Sequence, residues 1–365
     1  MNEFALIIHP THEALLYRYE PGMKHRSKQV VHKLLEWMDP FLASEVEGIY
    51  SDTGKPVKGI LVMCPLLREQ MMNLSPQKLL KQVIAAARLA ESLGTKIIGL
   101  TAYTSFVGSR GADVRKVLNT PLTNGSTYTM AMVTEAVLRA LNLMETPLET
   151  ANILIVGATS RISRFCLEIL GPAAKRIMLF SQGKVRLKGV IDGLRADLQK
   201  KVEIIVDIAK YAKTSDVIIF ASRNPFIPFD LNKLKPGTII FDASYPRRIP
   251  LNFRDDILVI DGLTIKPPGK PKFGFDFGLP EGLCFPCMAE PIILALEHKY
   301  ENYSLGGGGE QNLSKASEIV RLASKHGFRI AELTSQEQIL PEEEIIKIKK
   351  RAFIKSKDRR RSYII

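Results

Sequence analysis

"TANILIVGATSRISRFCLEILG", residues 150–171, decides the fold. Asn152–Val156 is a continuous apolar run rich in β-branched residues, which predicts a buried strand. Gly157 marks a turn, and apolar residues then recur at helical spacing up to Gly171. The same alternation continues downstream. "AKRIMLFSQG" reads as a strand, residues 187–199 as a helix, and "VEIIVD", "SDVIIFAS", "GTIIFDASYP" and "DILVIDG" as further strands. Apolar strands alternating with helices predict a parallel sheet covered on both faces. Residues 149–265 are therefore expected to form a Rossmann-like domain.

In such a domain the turn after the first strand is where backbone amides approach a pyrophosphate, helped by the start of the next helix. Here it reads Gly157-Ala158-Thr159-Ser160-Arg161-Ile162-Ser163. Only the first glycine of a G-x-x-G-x-x-G pattern is present. Arg161 is a candidate phosphate partner, and a plain strand–helix connection is the alternative. An acidic residue at the end of the second strand would hold the ribose of NAD. This chain has Ser181, Lys184, Arg186 and Lys188 instead, a set that suits a 2′-phosphate or, failing that, a solvated basic loop.

Upstream, residues 1–148 read as another α/β domain. "EFALIIHP" predicts a strand closed by Pro10, and "GKPVKGILVMCPLL" a hairpin ending near Cys64. In "SPQKLLKQVIAAARLAESLG", Ser75 is a helix cap, Pro76 the first helical residue and Gly94 the stop. "TKIIGLTAYTS" predicts a strand entering a loop, and "TNGSTYTMAMVTEAVLRALNLM" a turn entering a helix. Residues 266–333 read as helices that close the cleft, "CMAEPIILALEHKYENY" and "NLSKASEIVRLASKHGF", joined by a glycine-rich segment. Residues 334–365 form a basic tail. The fold class is α/β throughout.

Four cysteines in 365 residues form no secreted disulfide framework. Apolar runs are broken well short of about 18 residues, which excludes a membrane span. Glu3 stands where a signal peptide would carry positive charge. These features predict a soluble cytoplasmic protein. Residues 345–365 hold nine Lys/Arg and one Asp, so +8 of the net charge of +13 lies in the tail. Its apolar and basic residues could rest on an anionic membrane surface, making the protein peripheral there; a solvated end is the alternative. Nothing points to specific nucleic-acid binding.

"GLCFPCMAEPIILALE", residues 282–297, places Cys284 and Cys287 at C-x-x-C spacing. No second ligand pair is near enough in sequence for zinc, so no metal site is expected. The pair follows the last sheet strand, a poor place for a redox motif. Core filling suits Cys166 and Cys64. Cys287 directly precedes an apolar helix. Pro291 lacks an N–H to bond residue 287, so it belongs in a first turn with Cys287 near the cap. A thiol there should have a lowered pKa, and beside a nicotinamide domain it suggests thioester chemistry.

The chain resembles the long-chain acyl-(acyl carrier protein) reductases, which make fatty aldehydes from acyl thioesters with NADPH. The resemblance rests on "FALIIHP", on Gly99-Leu-Thr-Ala-Tyr-Thr-Ser105 and on Gly125-Ser126-Thr127-Tyr128-Thr129-Met130. It also rests on Val156–Ser163, Asp242-Ala243-Ser244-Tyr245-Pro246 and Cys287-Met288-Ala289-Glu290. It implies that Cys287 is the acylated nucleophile and that Gly157, Ala158, Thr159, Ser160, Arg161 and Ile162 line the pyrophosphate of NADPH. It implies further that Ser181, Lys184 and Arg186 meet the 2′-phosphate and that Ser222 and Tyr245 flank the cofactor. Thr127 or Tyr128 would steady the thioester oxygen or the leaving sulfur, with helix capping as the alternative, and Glu290 would cap the helix start. The implied partner is acyl carrier protein or acyl-coenzyme A. Ser160, Arg161, Ser163 and Ser126 depart from the family's pattern, and a Ser160 side chain can crowd the pyrophosphate. A thioester- or partner-binding protein with a degenerate cofactor loop, and a shikimate-dehydrogenase-like oxidoreductase, are the rival readings.

Overall fold

The computed structural model describes all residues except Met1, 222–228, 244–248, 250–253, 307–310, 337 and 363–365; for residues 184, 185, 311–313 and 358–362 only the backbone is described. The chain divides into two compact units. Unit 1 comprises Met1–Thr129 and Ile265–Ala331; unit 2 comprises Met130–Thr264 and Glu332–Ile365. The predicted closing section 266–333 thus belongs almost entirely to unit 1, and the tail to unit 2.

Unit 1 is built on β1 (Phe4–Ile8), β2 (Phe41–Tyr50), β3 (Pro56–Met63), β4 (Ile97–Leu100) and β5 (Leu122–Thr123). With Gly269–Lys272 at one edge, the sheet order is Gly269–Lys272, β2, β3, β1, β4, β5. Every residue of β1 is buried, because it pairs in parallel with β3 on one side and β4 on the other. Phe4 lies opposite Gly59, whose Cβ, were it present, would stand 2.5 Å from the Phe4 ring. The hairpin differs from expectation. β3 is its second strand, but the first is the upstream β2, a half-exposed strand whose buried Ala43, Val46 and Ile49 are three residues apart because its register against β3 shifts twice. The Pro76–Ser92 helix forms as predicted: Ser75 Oγ accepts from the Lys78 amide, and Gly94 follows the helix at φ +74°. It lays Leu79, Val83, Ala86, Ala87 and Ala90 on the sheet. Burying a leucine or valine of this kind contributes about 1.5–3 kcal/mol.

Unit 2 carries β6 (Asn152–Val156), β7 (Arg176–Phe180), β8 (Val202–Ile204), β9 (Val217–Phe220), β10 (Ile239–Asp242) and β11 (Leu258–Ile260). Their order is β8-β7-β6-β9-β10-β11, with every neighbouring pair parallel. In strand numbers local to the sheet this is 3-2-1-4-5-6, the doubly wound order whose switch point lies beside its first strand, β6. The predicted helix 187–199 is two helices, Lys184–Asp192 and Ala196–Lys201, separated at Gly193. A small sheet of Gly262–Lys266, Arg329–Ser335 and Gln338–Ile339 was not anticipated. The tail forms a helix, Glu342–Ser362, as its opening Pro341 and glutamates suggest. Among its described residues Ile345 and Ala352 are buried, while Lys349 pairs with Glu145 at 2.9 Å and Lys355 with Asp255 at 2.6 Å. Among the described residues no helix is long and apolar enough to cross a membrane.

Candidate active site

Cys287 lies in unit 1, at the second position of the Pro286–Leu296 helix. The sequence reading placed Cys287 near the cap and Pro291 in the first turn. Instead Phe285 is the cap and Pro286 takes the first position, as its fixed φ favours. Pro291 is therefore inside the helix, and no bond from residue 291 to the Cys287 carbonyl can form. Gly99 accommodates this proline: a Cβ on residue 99 would lie 2.6 Å from Pro291 Cγ.

The backbone amides of Ala102, in the loop after β4, of Cys287 itself and of Met288 favour the charged form of the Cys287 thiol. Ala102 holds φ +45°, a left-handed conformation that costs an alanine about 1–2 kcal/mol. The surrounding loop is firmly fastened. Thr101 Oγ1 donates to the Ile7 carbonyl at 2.7 Å, and Thr104 Oγ1 donates to the Thr101 carbonyl at 2.7 Å. The expected lowering of the thiol pKa is overturned. Burial pushes the Cys287 thiol up and the Glu290 carboxylate adds to this, against the three amides that lower it. Desolvation of a thiolate here outweighs the helix start.

Gly125 presses on the same residue. It holds φ +68°, and a Cβ there would come within 2.4 Å of the Cys287 carbonyl oxygen and 2.5 Å of its Cα. The Ser126–Leu143 helix begins immediately afterwards. The Ser126 amide donates to Asn124 Oδ1 at 3.0 Å, and the next two amides are taken by groups distant in sequence. Tyr128 N–H donates to Glu290 Oε2 at 2.7 Å, and Thr127 N–H donates to Ser304 Oγ at 3.1 Å. Glu290 is fully buried and also accepts from Ser304 Oγ at 2.6 Å and from Thr123 Oγ1. It caps the Ser126–Leu143 helix, and not its own. Burial raises the Glu290 pKa, with these donors opposing. Thr127 Oγ1 lies 2.6 Å from Ser304 Oγ, so Thr127 and Tyr128 both enter the Glu290 cluster. Ser126 Oγ is buried with no hydrogen-bond partner among the described residues.

The other cysteines are inert by burial. All four are free thiols. Cys284 is fully buried, and its backbone bridges Ile265. Burial pushes Cys284 well up, and Cys64 and Cys166 up to about 12. Among the described residues no group of His, Cys, Asp and Glu is arranged for a metal ion.

In unit 2 the turn after β6 forms as predicted. Gly157 holds φ +89°, and Ser160 caps the Arg161–Leu170 helix by accepting from the Ser163 amide at 3.0 Å. Ser160 Oγ lies 2.8 Å from Ser163 Oγ, and Ser163 Oγ donates to the Gly157 carbonyl at 2.9 Å. The two serines that replace glycines are thus folded back as capping groups. Ala158 is buried under the turn, its amide donating to the Phe180 carbonyl at 3.2 Å; Thr159 and Arg161 flank Ser160, and Arg161 and Ile162 are the first two residues of the helix. Ser181 follows β7, and Lys184 and Arg186 lie in the first turn of the Lys184–Asp192 helix, with Arg186 exposed. Ser222 and Tyr245 lie outside the described residues. The turn thus combines a left-handed glycine with a capped helix start.

Sequence reasoning missed Ala102, Thr123 and Ser304. Thr123 carried no motif, and Ala102 and Ser304, the latter in an Asn302-Tyr303-Ser304 segment, were seen only as part of a resemblance.

No protein-family profile matches the chain. It is 26% identical over 366 residues to the aminotransferase PigE of Serratia sp. (strain ATCC 39006), covering 95% of this chain. The chain spans only 42% of that relative's length. Among solved structures it is similar to L-tryptophan dehydrogenase from Nostoc punctiforme, at 11% identity and a TM-score of 0.38 over 98% of this chain and 89% of that one. It is also similar to NAD-dependent malic enzyme from Thermotoga maritima, at 14% identity and a TM-score of 0.38 over 96% and 83%. The resemblance to the acyl-(acyl carrier protein) reductases is overturned, because the curated relative is named as an aminotransferase.

Proposed function

We propose that this chain is a nicotinamide-dependent oxidoreductase that reduces an acyl thioester through Cys287. The observation that carries the reading is a half-buried free thiol in the first turn of the Pro286–Leu296 helix, whose charged form the Ala102, Cys287 and Met288 amides favour. Such amides stabilise negative charge on sulfur, or on an oxygen developing beside it. The Cys287 thiol attacks the thioester carbonyl, its sulfur–carbon bond forms, and the leaving thiol departs with the proton. The acyl group is then held on Cys287. Ser126 Oγ, buried next to Gly125, gains the bond it lacks by donating to the acyl oxygen.

A bound nicotinamide would supply the hydride that turns the acyl group into an aldehyde, and Cys287, released as thiolate, would take its proton back from water. Gly157, Thr159, Arg161 and Ile162 would hold its pyrophosphate at the Arg161–Leu170 helix start. Ser181, Lys184 and Arg186 would hold a 2′-phosphate, which favours NADPH over NADH. The thioester would be carried by an acyl carrier protein or coenzyme A, whose negative charge suits a chain of net charge +13. The transamination in the relative's name falls, on this reading, to the part of that protein outside the matched 42%.

The test is Cys287→Ala with an acyl-coenzyme A and NADPH. Acyl labelling and aldehyde formation should both disappear. Aldehyde formed at the wild-type rate would end the proposal, and amino transfer by the isolated chain would replace it.

A further inference from the structure

The Glu342–Ser362 helix has two opposed faces, and unit 2 uses one of them. Ile345 and Ala352 lie about two turns apart on the inner side and are buried. A Cβ on Gly237 would stand 3.6 Å from the Ala352 Cβ. Lys349 and Lys355 fasten the flanks, pairing with Glu145 at 2.9 Å and Asp255 at 2.6 Å. These contacts fix which way the helix is turned.

Ile354 lies about two and a half turns after Ile345, which puts it on the outer side. It is 59% exposed, and Phe353 beside it is 62% exposed. Lys347, Lys350, Ile354 and Lys357 recur at helical spacing and so share that outer side. All three lysines are exposed. Lys357 Nζ lies 4.5 Å from the centre of the Phe353 ring. Between residues 342 and 357 the acidic residues, Glu342, Glu343 and Glu344, are confined to the first turn. Lys347 pairs with Glu344 at 3.0 Å, but an exposed pair of this kind holds little.

We infer that this outer face docks on an anionic membrane surface, with Phe353 and Ile354 entering the headgroup layer among Lys347, Lys350 and Lys357. Sequence periodicity alone would offer the lipid the side bearing Ile345 and Ala352, but the protein itself covers that side. The lysines match lipid phosphates, and their apolar stems lie along the same layer as the two large side chains. A nucleic-acid backbone would answer the lysines and leave Ile354 without an apolar partner. Two large apolar side chains also fall far short of the about 800 Å² a side that a stable protein interface buries. The inference concerns unit 2 alone and is independent of the reading of Cys287.

The test is flotation of the full chain with vesicles of phosphatidylglycerol and phosphatidylcholine in equal parts, and with phosphatidylcholine alone. The chain should float with the first and not with the second. Lys347→Gln with Lys350→Gln should weaken binding by about tenfold or more. Phe353→Ser with Ile354→Ser should weaken it by about tenfold. All four residues are exposed, so the urea midpoint of Cys166 labelling should not move. If it falls in either pair, Ile354→Asn alone is read and should weaken binding by about threefold. Failure of the wild type to float with the anionic vesicles overturns the inference, as does equal flotation with phosphatidylcholine alone. Wild-type binding by either folded pair, or by Ile354→Asn where it is read, overturns it too. If the serine pair alone is without effect, the lysines act by charge only, as toward a nucleic acid or an acidic protein.

Discussion

Replacing Gly125 by alanine tests how the candidate site is assembled. The residue holds φ +68°, and an added Cβ would meet the Cys287 carbonyl oxygen at 2.4 Å, its Cα at 2.5 Å and its Cβ at 2.7 Å. These are mainly backbone atoms of a helix start, so no side-chain rotation relieves them. The left-handed conformation costs alanine about 1–2 kcal/mol, and forcing the two segments apart adds about 1–3 kcal/mol. The expected loss is about 2–5 kcal/mol in unit 1. Buried cysteines give a local assay. Cys64 and Cys284 are fully buried in unit 1 and Cys166 in unit 2, so each is labelled by a thiol reagent only when its surroundings open. With a urea slope of about 2 kcal/mol per molar, the Gly125→Ala midpoint for Cys64 and Cys284 should fall by about 1–2.5 M. The Cys166 midpoint should move less. An unchanged Cys64 midpoint would refute the close approach of Gly125 to Cys287.

Three further outcomes follow from the same contacts. Burial raises the Glu290 pKa, so the folded state keeps that proton to higher pH than the unfolded chain. Its contribution is complete below the ordinary carboxylate range and is lost as pH rises through the folded-state value. Glu290→Gln should therefore flatten the fall of unit 1 stability with rising pH, measured by Cys64 labelling in urea. It should also lower the alkylation midpoint of Cys287, whose thiol the Glu290 charge pushes up; a midpoint that rises would contradict this. As a helix cap, Ser160 should cost about 1 kcal/mol when changed to Ala but only a few tenths when changed to Gly, read from Cys166 labelling. Arg186→Glu should weaken NADPH binding at least tenfold while changing NADH binding less than threefold, by calorimetric titration; equal losses would remove the 2′-phosphate role.

What the sequence disclosed follows from the range of the forces involved. Periodicity and local caps are short-range, so β1, β6, the Ser75 cap and the Arg161–Leu170 helix could be read directly. Cys287 was legible because it directly precedes an apolar run that marks a helix. Its environment was not. Ala102, Gly125 and Ser304 reach it or Glu290 from distant segments, and no local pattern announces such meetings. Pro291 misled for the same reason: local rules place a proline in the first turn, whereas contact with Gly99 keeps it inside the helix. The thiol pKa misled because the helix start acts locally, while burial is a property of the whole fold.

The central claim is that Cys287 carries an acyl group on its way to an aldehyde. The most direct measurement is intact mass of the full chain mixed with an acyl-coenzyme A, first alone and then with NADPH. The expected result is an acyl adduct mapping to Cys287 that disappears when NADPH is added, with aldehyde formed in equal amount. An adduct on Cys287 that persists in NADPH, with no aldehyde, would contradict the account.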